Sequence, residues 1–104
     1  MCEVCREIIL RDSFYSDKDY LNCLEYIAEL IDSGEYVMIE QTCPLDGVIK
    51  LDGFWIDDTI HHKIKCVNCG GLFLVWADTY HGRGGFLKED ERLKNAKKGS
   101  LFDL

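Results

Sequence analysis

Apolar residues recur at helical spacing in one stretch of this chain and at strand-like spacing in several others, and the change of period divides it. Tyr20, Leu24, Ile27 and Ile31, with Leu21 and Ala28 beside them, form one stripe at intervals of three and four, opposite an acidic face of Glu25, Glu29 and Asp32. Ser16, followed three residues later by Asp19, reads as an N-cap with an acidic capping partner, and Asp17 and Asp19 suit the positive end of a helix dipole. The spacing predicts a helix over about 17–33, stopped by Gly34. Cys23 falls between stripe and surface, where a thiol packs as a small apolar group.

Beyond Gly34 the runs become short, β-branched and apolar. Tyr36-Val37-Met38-Ile39 and Val48-Ile49-Lys50-Leu51 are expected to pair as a hairpin with Cys43-Pro44-Leu45-Asp46-Gly47 at its tip. Asp52-Gly53 favours a tight reversal into Phe54-Trp55-Ile56, and Asp57-Asp58 breaks the chain before a strand from about Thr59 to Lys65. A turn at Cys66-Val67-Asn68-Cys69-Gly70-Gly71 leads into Leu72–Ala77, apolar enough to be a central strand. The segment from Tyr80 to Phe86 is glycine-rich and reads as a turn, and Lys88 to Lys98 is charged with few apolar anchors. The fold class expected is α+β, with antiparallel hairpins packed against one N-terminal amphipathic helix, and 1–104 as a single domain.

Charge separates the two ends. Residues 1–60 hold fourteen Asp and Glu against four Lys and Arg, whereas 61–104 hold five against eight, within a net charge of −7. Such a surface repels phosphate backbones and attracts basic proteins, so direct nucleic-acid binding is disfavoured. The sequence has no apolar run of membrane-spanning length, and its first residues lack the order of a signal peptide, so a cytoplasmic location is expected. In that reducing setting the six cysteines are read as metal ligands or buried thiols rather than disulfides.

Cys66-x-x-Cys69-Gly70 places two thiolates three positions apart with a glycine after them, the spacing with which a turn aims both sulfurs at one ion. Cys43-Pro44-Leu45-Asp46-Gly47 lies about twenty residues earlier, with Asp46 where a second cysteine would stand. Together they resemble the zinc-ribbon group, whose pattern is Cys-Pro-x-Cys-Gly, a spacer, then Cys-x-x-Cys-Gly, over roughly 35–78. The resemblance implies zinc held by Cys43, Cys66 and Cys69, with Asp46 as the fourth ligand. His62, on the same strand face as Cys66, is the rival for that corner. Two alternatives stay open: a metal-free ribbon with its thiols packed as hydrophobes, and a four-thiolate site joining Cys2-x-x-Cys5 to Cys66 and Cys69. The second requires closing a loop of about sixty residues, which ranks it below the ribbon.

Catalytic signatures are missing. No His-x-Glu and Pro-Cys pair precedes Cys66, as a zinc deaminase requires, and Gly82-Arg83-Gly84-Gly85 lacks the ending of a phosphate loop. Tyr80, His81 and Arg83 could form a polar cluster, a feature that is usually structural on a loop. The expected function is therefore non-enzymatic. With its acidic helix and ribbon, the chain looks like small bacterial proteins that accompany polymorphic toxins, which implies an immunity-type inhibitor covering a basic toxin or nuclease through Glu25, Glu29, Asp32, Asp57 and Asp58. A ribbon adaptor in transcription, translation or RNA handling is the second expectation, and a small zinc enzyme the third.

Overall fold

The computed structural model describes residues 3–89. A four-residue helix α1 (Glu3–Arg6) precedes the main helix α2 (Asp17–Asp32) and four strands, β1 (Tyr36–Gln41), β2 (Thr59–Cys66), β3 (Leu72–Asp78) and β4 (Arg83–Lys88). The strands form one antiparallel sheet in the order β1-β2-β3-β4, and α2 packs against it. The fold is α+β, as the change of period requires.

α2 begins where its cap dictates. The Ser16 hydroxyl accepts from the Asp19 amide at 3.2 Å, and the Asp19 carboxylate accepts in turn from the Tyr15 amide at 3.0 Å. At the other end Gly34 takes φ +83°, a left-handed conformation open to glycine at no steric cost. Tyr20, Cys23, Leu24 and Ile27 of α2 are buried. They meet the inner face of the sheet, where Ile60, His62, Ile64 and Cys66 alternate along β2 opposite Ala77, Val75 and Phe73 of β3. Tyr36 of β1 and Phe86 of β4 extend that face to both sides, each with a ring contact to Phe73, at 6.0 and 6.3 Å respectively.

One expectation about pairing is corrected. The strand at Tyr36 does not pair with 48–51: its partner is β2, with Tyr36 opposite Cys66 and Gln41 opposite His62. Residues 42–58 instead make an excursion between β1 and β2, held by an Ile49–Trp55 bridge and by the Ile56 amide donating to the Val48 carbonyl at 2.8 Å. The reason is packing. β2 offers an inner face buried at Ile60, His62, Ile64 and Cys66 to pair beside, whereas in 48–51 only Val48 is buried.

The glycine-rich stretch is a turn only through Gly82, which takes φ +68°, and from Arg83 onward it is strand β4. The sheet's β4 edge is covered by the N-terminal segment, since Arg11 and Phe86 exchange amide–carbonyl bonds at 2.9 and 2.8 Å and the Phe14 amide donates to the Gly84 carbonyl at 3.1 Å. A Cβ at Gly84 would collide with the Trp76 carbonyl oxygen and stand 3.0 Å from both Ala77 Cα and the Phe14 ring. Close approach, not turn geometry, is what the Gly84-Gly85 pair provides. Cys2, the charged stretch from residue 90 to Lys98 and the tail from Ser100 lie outside the described residues. Among the described residues no helix is long and apolar enough to cross a membrane.

Candidate metal centre

Three elements converge on one cluster of thiols. Cys66 ends β2 with no solvent exposure, Cys69 lies exposed in the turn that follows, and Cys5 is buried on α1. Their Sγ atoms all lie within 4.8 Å of one another, and those of Cys5 and Cys69 are 3.6 Å apart.

The turn is built as its sequence suggests. The Gly70 amide donates to the Cys66 carbonyl at 2.9 Å, Gly70 takes φ +77°, and the Cys66 amide donates back to the Gly71 carbonyl at 2.9 Å. The Gly71 amide donates to Cys69 Sγ at 3.4 Å, and a Cβ at Gly71 would stand only 3.3 Å from that sulfur. Glycine there lets the sulfur sit against the backbone. Cys5 arrives by a separate route. The Ile9 amide donates to the Tyr26 hydroxyl of α2 at 2.9 Å, and the Arg11–Phe86 pairing fixes the chain further on. These two anchors carry α1 past the start of β1, where the Tyr36 hydroxyl donates to Cys5 Sγ at 3.6 Å.

The donor set fits a thiophilic ion. A tetrahedral zinc with sulfur at about 2.3 Å requires sulfur atoms about 3.8 Å apart, close to the 3.6 Å between Cys5 and Cys69, with Cys66 within 4.8 Å of both. Among the described residues no disulfide joins two of these sulfurs.

Cys66 and Cys69 thus come together as expected, and Cys5 takes the place expected of Cys43. The register explains it. In the antiparallel β1–β2 pair the Cys66 turn lies beside the first residue of β1, whereas Cys43 follows the last, so Cys43 sits near the opposite end of β2, about 13 Å away by strand rise. Its carbonyl accepts from His62 Nε2 at 2.7 Å. Asp46, in the exposed turn closed by the Gly47 amide on the Pro44 carbonyl, belongs to the same far end. Neither Cys43, Asp46 nor His62 belongs to the thiol cluster. His62 is fully buried and donates from Nε2 to a backbone carbonyl, which leaves Nδ1 without a hydrogen-bond partner among the described residues. Burial lowers its pKa from the ordinary histidine value, with a smaller opposing effect of the Cys43 carbonyl. Burial likewise raises the Cys43 thiol and pushes Cys23 up to about 12, making both poor thiolates.

The remaining candidates lie at the surface. Glu25, Glu29 and Asp32 project from α2, and Asp57 and Asp58 precede β2, all exposed. The Asp78 carboxylate accepts from His81 Nδ1 at 2.7 Å and stands 3.6 Å from Arg83, which together hold its pKa below the usual carboxylate range. Among the described residues no hydroxyl or thiol bonds to His81, so this pair lacks a nucleophile to activate. Comparison of the chain with protein-family models, with curated proteins and with solved structures finds no match, so its likeness to known metal proteins consists of the cysteine cluster itself.

Proposed function

We propose that the protein is a non-enzymatic binding domain whose fold is pinned by a structural zinc ion held by Cys5, Cys66 and Cys69, with Cys2 as fourth thiolate. The observation that carries this reading is the convergence of three sulfurs, 64 residues apart in the case of Cys5 and Cys69, into one ligand-sized cluster. Cys2 stands three residues before Cys5, the same spacing as Cys66 and Cys69. A second knuckle of identical spacing would supply the fourth ligand of a tetrahedral site, and a centre so filled would have no open position for water activation. Zinc bound there serves as a cross-link between the N-terminus and the β2–β3 turn.

The binding role rests on charge. Glu25, Glu29 and Asp32 share one exposed face of α2, and none has an ion-pair partner among the described residues. A surface of unpaired carboxylates steers encounter with a basic protein, the mode of action of an inhibitor that covers a cationic toxin or nuclease. Affinity purification from the native host, eluted stepwise with salt, tests it. The expected product is a basic protein released by about 0.5 M salt, where screening is short-ranged. Recovery of RNA or ribosomal particles instead would favour the adaptor role, and turnover abolished by chelation would favour an enzyme.

A further inference from the structure

We propose that the cleft between α2 and the 45–49 segment is the docking groove for that partner, and that it takes a basic amphipathic segment: apolar side chains in the cleft, lysine or arginine against its rim. This deepens the acidic-binder reading and rests on it. The cleft has a volume of about 350 Å³ and is floored by Leu21, Leu24 and Ala28 of α2, with Leu45, Val48 and Ile49 facing them. Its floor is continuous with the protein core, because Leu24 and Val48 are core residues and Leu21 and Leu45 pack against them. A groove of this kind accepts one face of a helix or extended peptide.

Two further features identify the occupant. The rim carries Glu25 and Asp46, both exposed, and Glu29 continues the rim one turn along α2. None of these three carboxylates has an ion pair or side-chain hydrogen bond among the described residues. Five described carboxylates are paired within the chain, Asp19 with Arg11, Asp52 with Lys50, Glu40 and Glu89 with Lys63, and Asp78 with His81 and Arg83, whereas the three at the cleft are among those left for an external cation. Beside the cleft, the tight excursion that carries Ile49 projects Leu51 and Phe54 outward, the first wholly exposed and the second 70% exposed. This excursion is held by main-chain bonds, with the Lys50 amide on the Phe54 carbonyl at 2.7 Å and the Gly53 amide on the Lys50 carbonyl at 2.9 Å. Apolar side chains displayed on a backbone-bonded finger, next to an apolar cleft with an unpaired acidic rim, complement a segment that alternates apolar and cationic positions.

The test uses the full chain, zinc-loaded, with three synthetic peptides of one length as probes. One is a leucine and lysine helix with its leucines on a single face, the second has the same residues scrambled, and the third replaces each lysine by glutamate. Backbone amide shifts and fluorescence anisotropy are read. The amphipathic basic peptide is expected to shift Leu21, Ala28, Leu45 and Ile49, and to bind at least about tenfold more tightly than either other peptide. Ala28→Trp, which fills the cleft, and Ile49→Asp, at its exposed edge, are each expected to weaken it about tenfold, with circular dichroism unchanged. Glu25→Lys is expected to weaken it more than Glu7→Lys, an equal charge change at an exposed residue that lines a different cavity. If scrambled and amphipathic peptides bind alike and Glu7→Lys matters as much as Glu25→Lys, the groove is wrong while the acidic-binder reading survives. If neither basic peptide binds at low salt, both fall.

Discussion

The sulfur atoms of Cys5 and Cys69 stand 3.6 Å apart although 64 residues separate them, and Cys66 lies within 4.8 Å of both. One comes from a short helix at the start of the chain and the others from the β2–β3 turn, so any ion they share ties the first residues to the sheet. That tie would add to the Arg11–Phe86 pairing already holding the N-terminal segment along β4.

Serine replacements should separate the two sets of cysteines. Cys66→Ser and Cys5→Ser are expected to abolish metal binding and with it a stabilisation of about 4 kcal/mol when free zinc is a thousandfold above its dissociation constant. Cys43→Ser is expected to keep the metal and to cost less than about 1 kcal/mol. Denaturant midpoints with and without chelator measure the difference.

Alkylation should follow accessibility and thiolate character. In chelator at pH 8, Cys69, exposed in its turn, is expected to be the first of the described thiols to react with iodoacetamide. Cys23, buried and with its pKa pushed up to about 12, should react only on unfolding. Added zinc should protect Cys69 and leave Cys23 unchanged. Peptide mass spectrometry after timed quenching reads both.

Acid should weaken the fold through His62. Its pKa is lowered in the folded state, chiefly by burial, so below about 6.5 the unfolded chain binds the proton more readily and stability drops. The contribution is complete above that pH and is lost as pH falls from there, at no more than about 1.4 kcal/mol per pH unit. His62→Gln, which can still donate to the Cys43 carbonyl, should flatten the profile between pH 7 and 5. Urea midpoints across that range, with the mutant subtracted, isolate the effect from proton competition at the cysteines.

Gly84→Ala tests the close approach of β3, β4 and the N-terminal segment. The added Cβ would strike the Trp76 carbonyl and crowd Ala77 and Phe14, so a loss of about 2–3 kcal/mol is expected. Gly53→Ala, at φ +89° with no atom within 4 Å, should cost only about 1 kcal/mol. Thermal denaturation of the two variants compares strain from contact with strain from dihedral alone.

The helix was legible because Ser16, Asp19 and Gly34 are local signals and the Tyr20–Leu24–Ile27 stripe repeats at 3.6 residues. Strands β2 and β3 were legible because their core-facing positions are apolar, with His62 of β2 as the exception. Strand pairing was not, because an apolar run such as Val48–Leu51 carries no mark of its neighbour, and tertiary burial chose Thr59–Cys66 beside Tyr36. The Gly84-Gly85 strand was hidden because glycine's reason for being there, a carbonyl close by on another strand, is invisible along the chain. At the metal centre the Cys66–Cys69 knuckle announced itself, and the matching Cys2–Cys5 spacing was the signal for Cys5. Loop-closure cost argued against it, yet that cost grows only with the logarithm of length: a loop about three times longer adds about 1 kcal/mol, less than one buried thiolate bond to an ion contributes.

The central claim, a zinc ion held only by sulfur from the two Cys-x-x-Cys knuckles, is tested most directly by X-ray absorption at the zinc edge on full-length protein purified without a metal-affinity tag. The account predicts about one equivalent of zinc with a shell of four sulfur atoms, unchanged in Cys43→Ser and lost in Cys66→Ser. Protein grown with ample zinc that carries none, or a shell containing nitrogen or oxygen that disappears in Cys43→Ser, would contradict it.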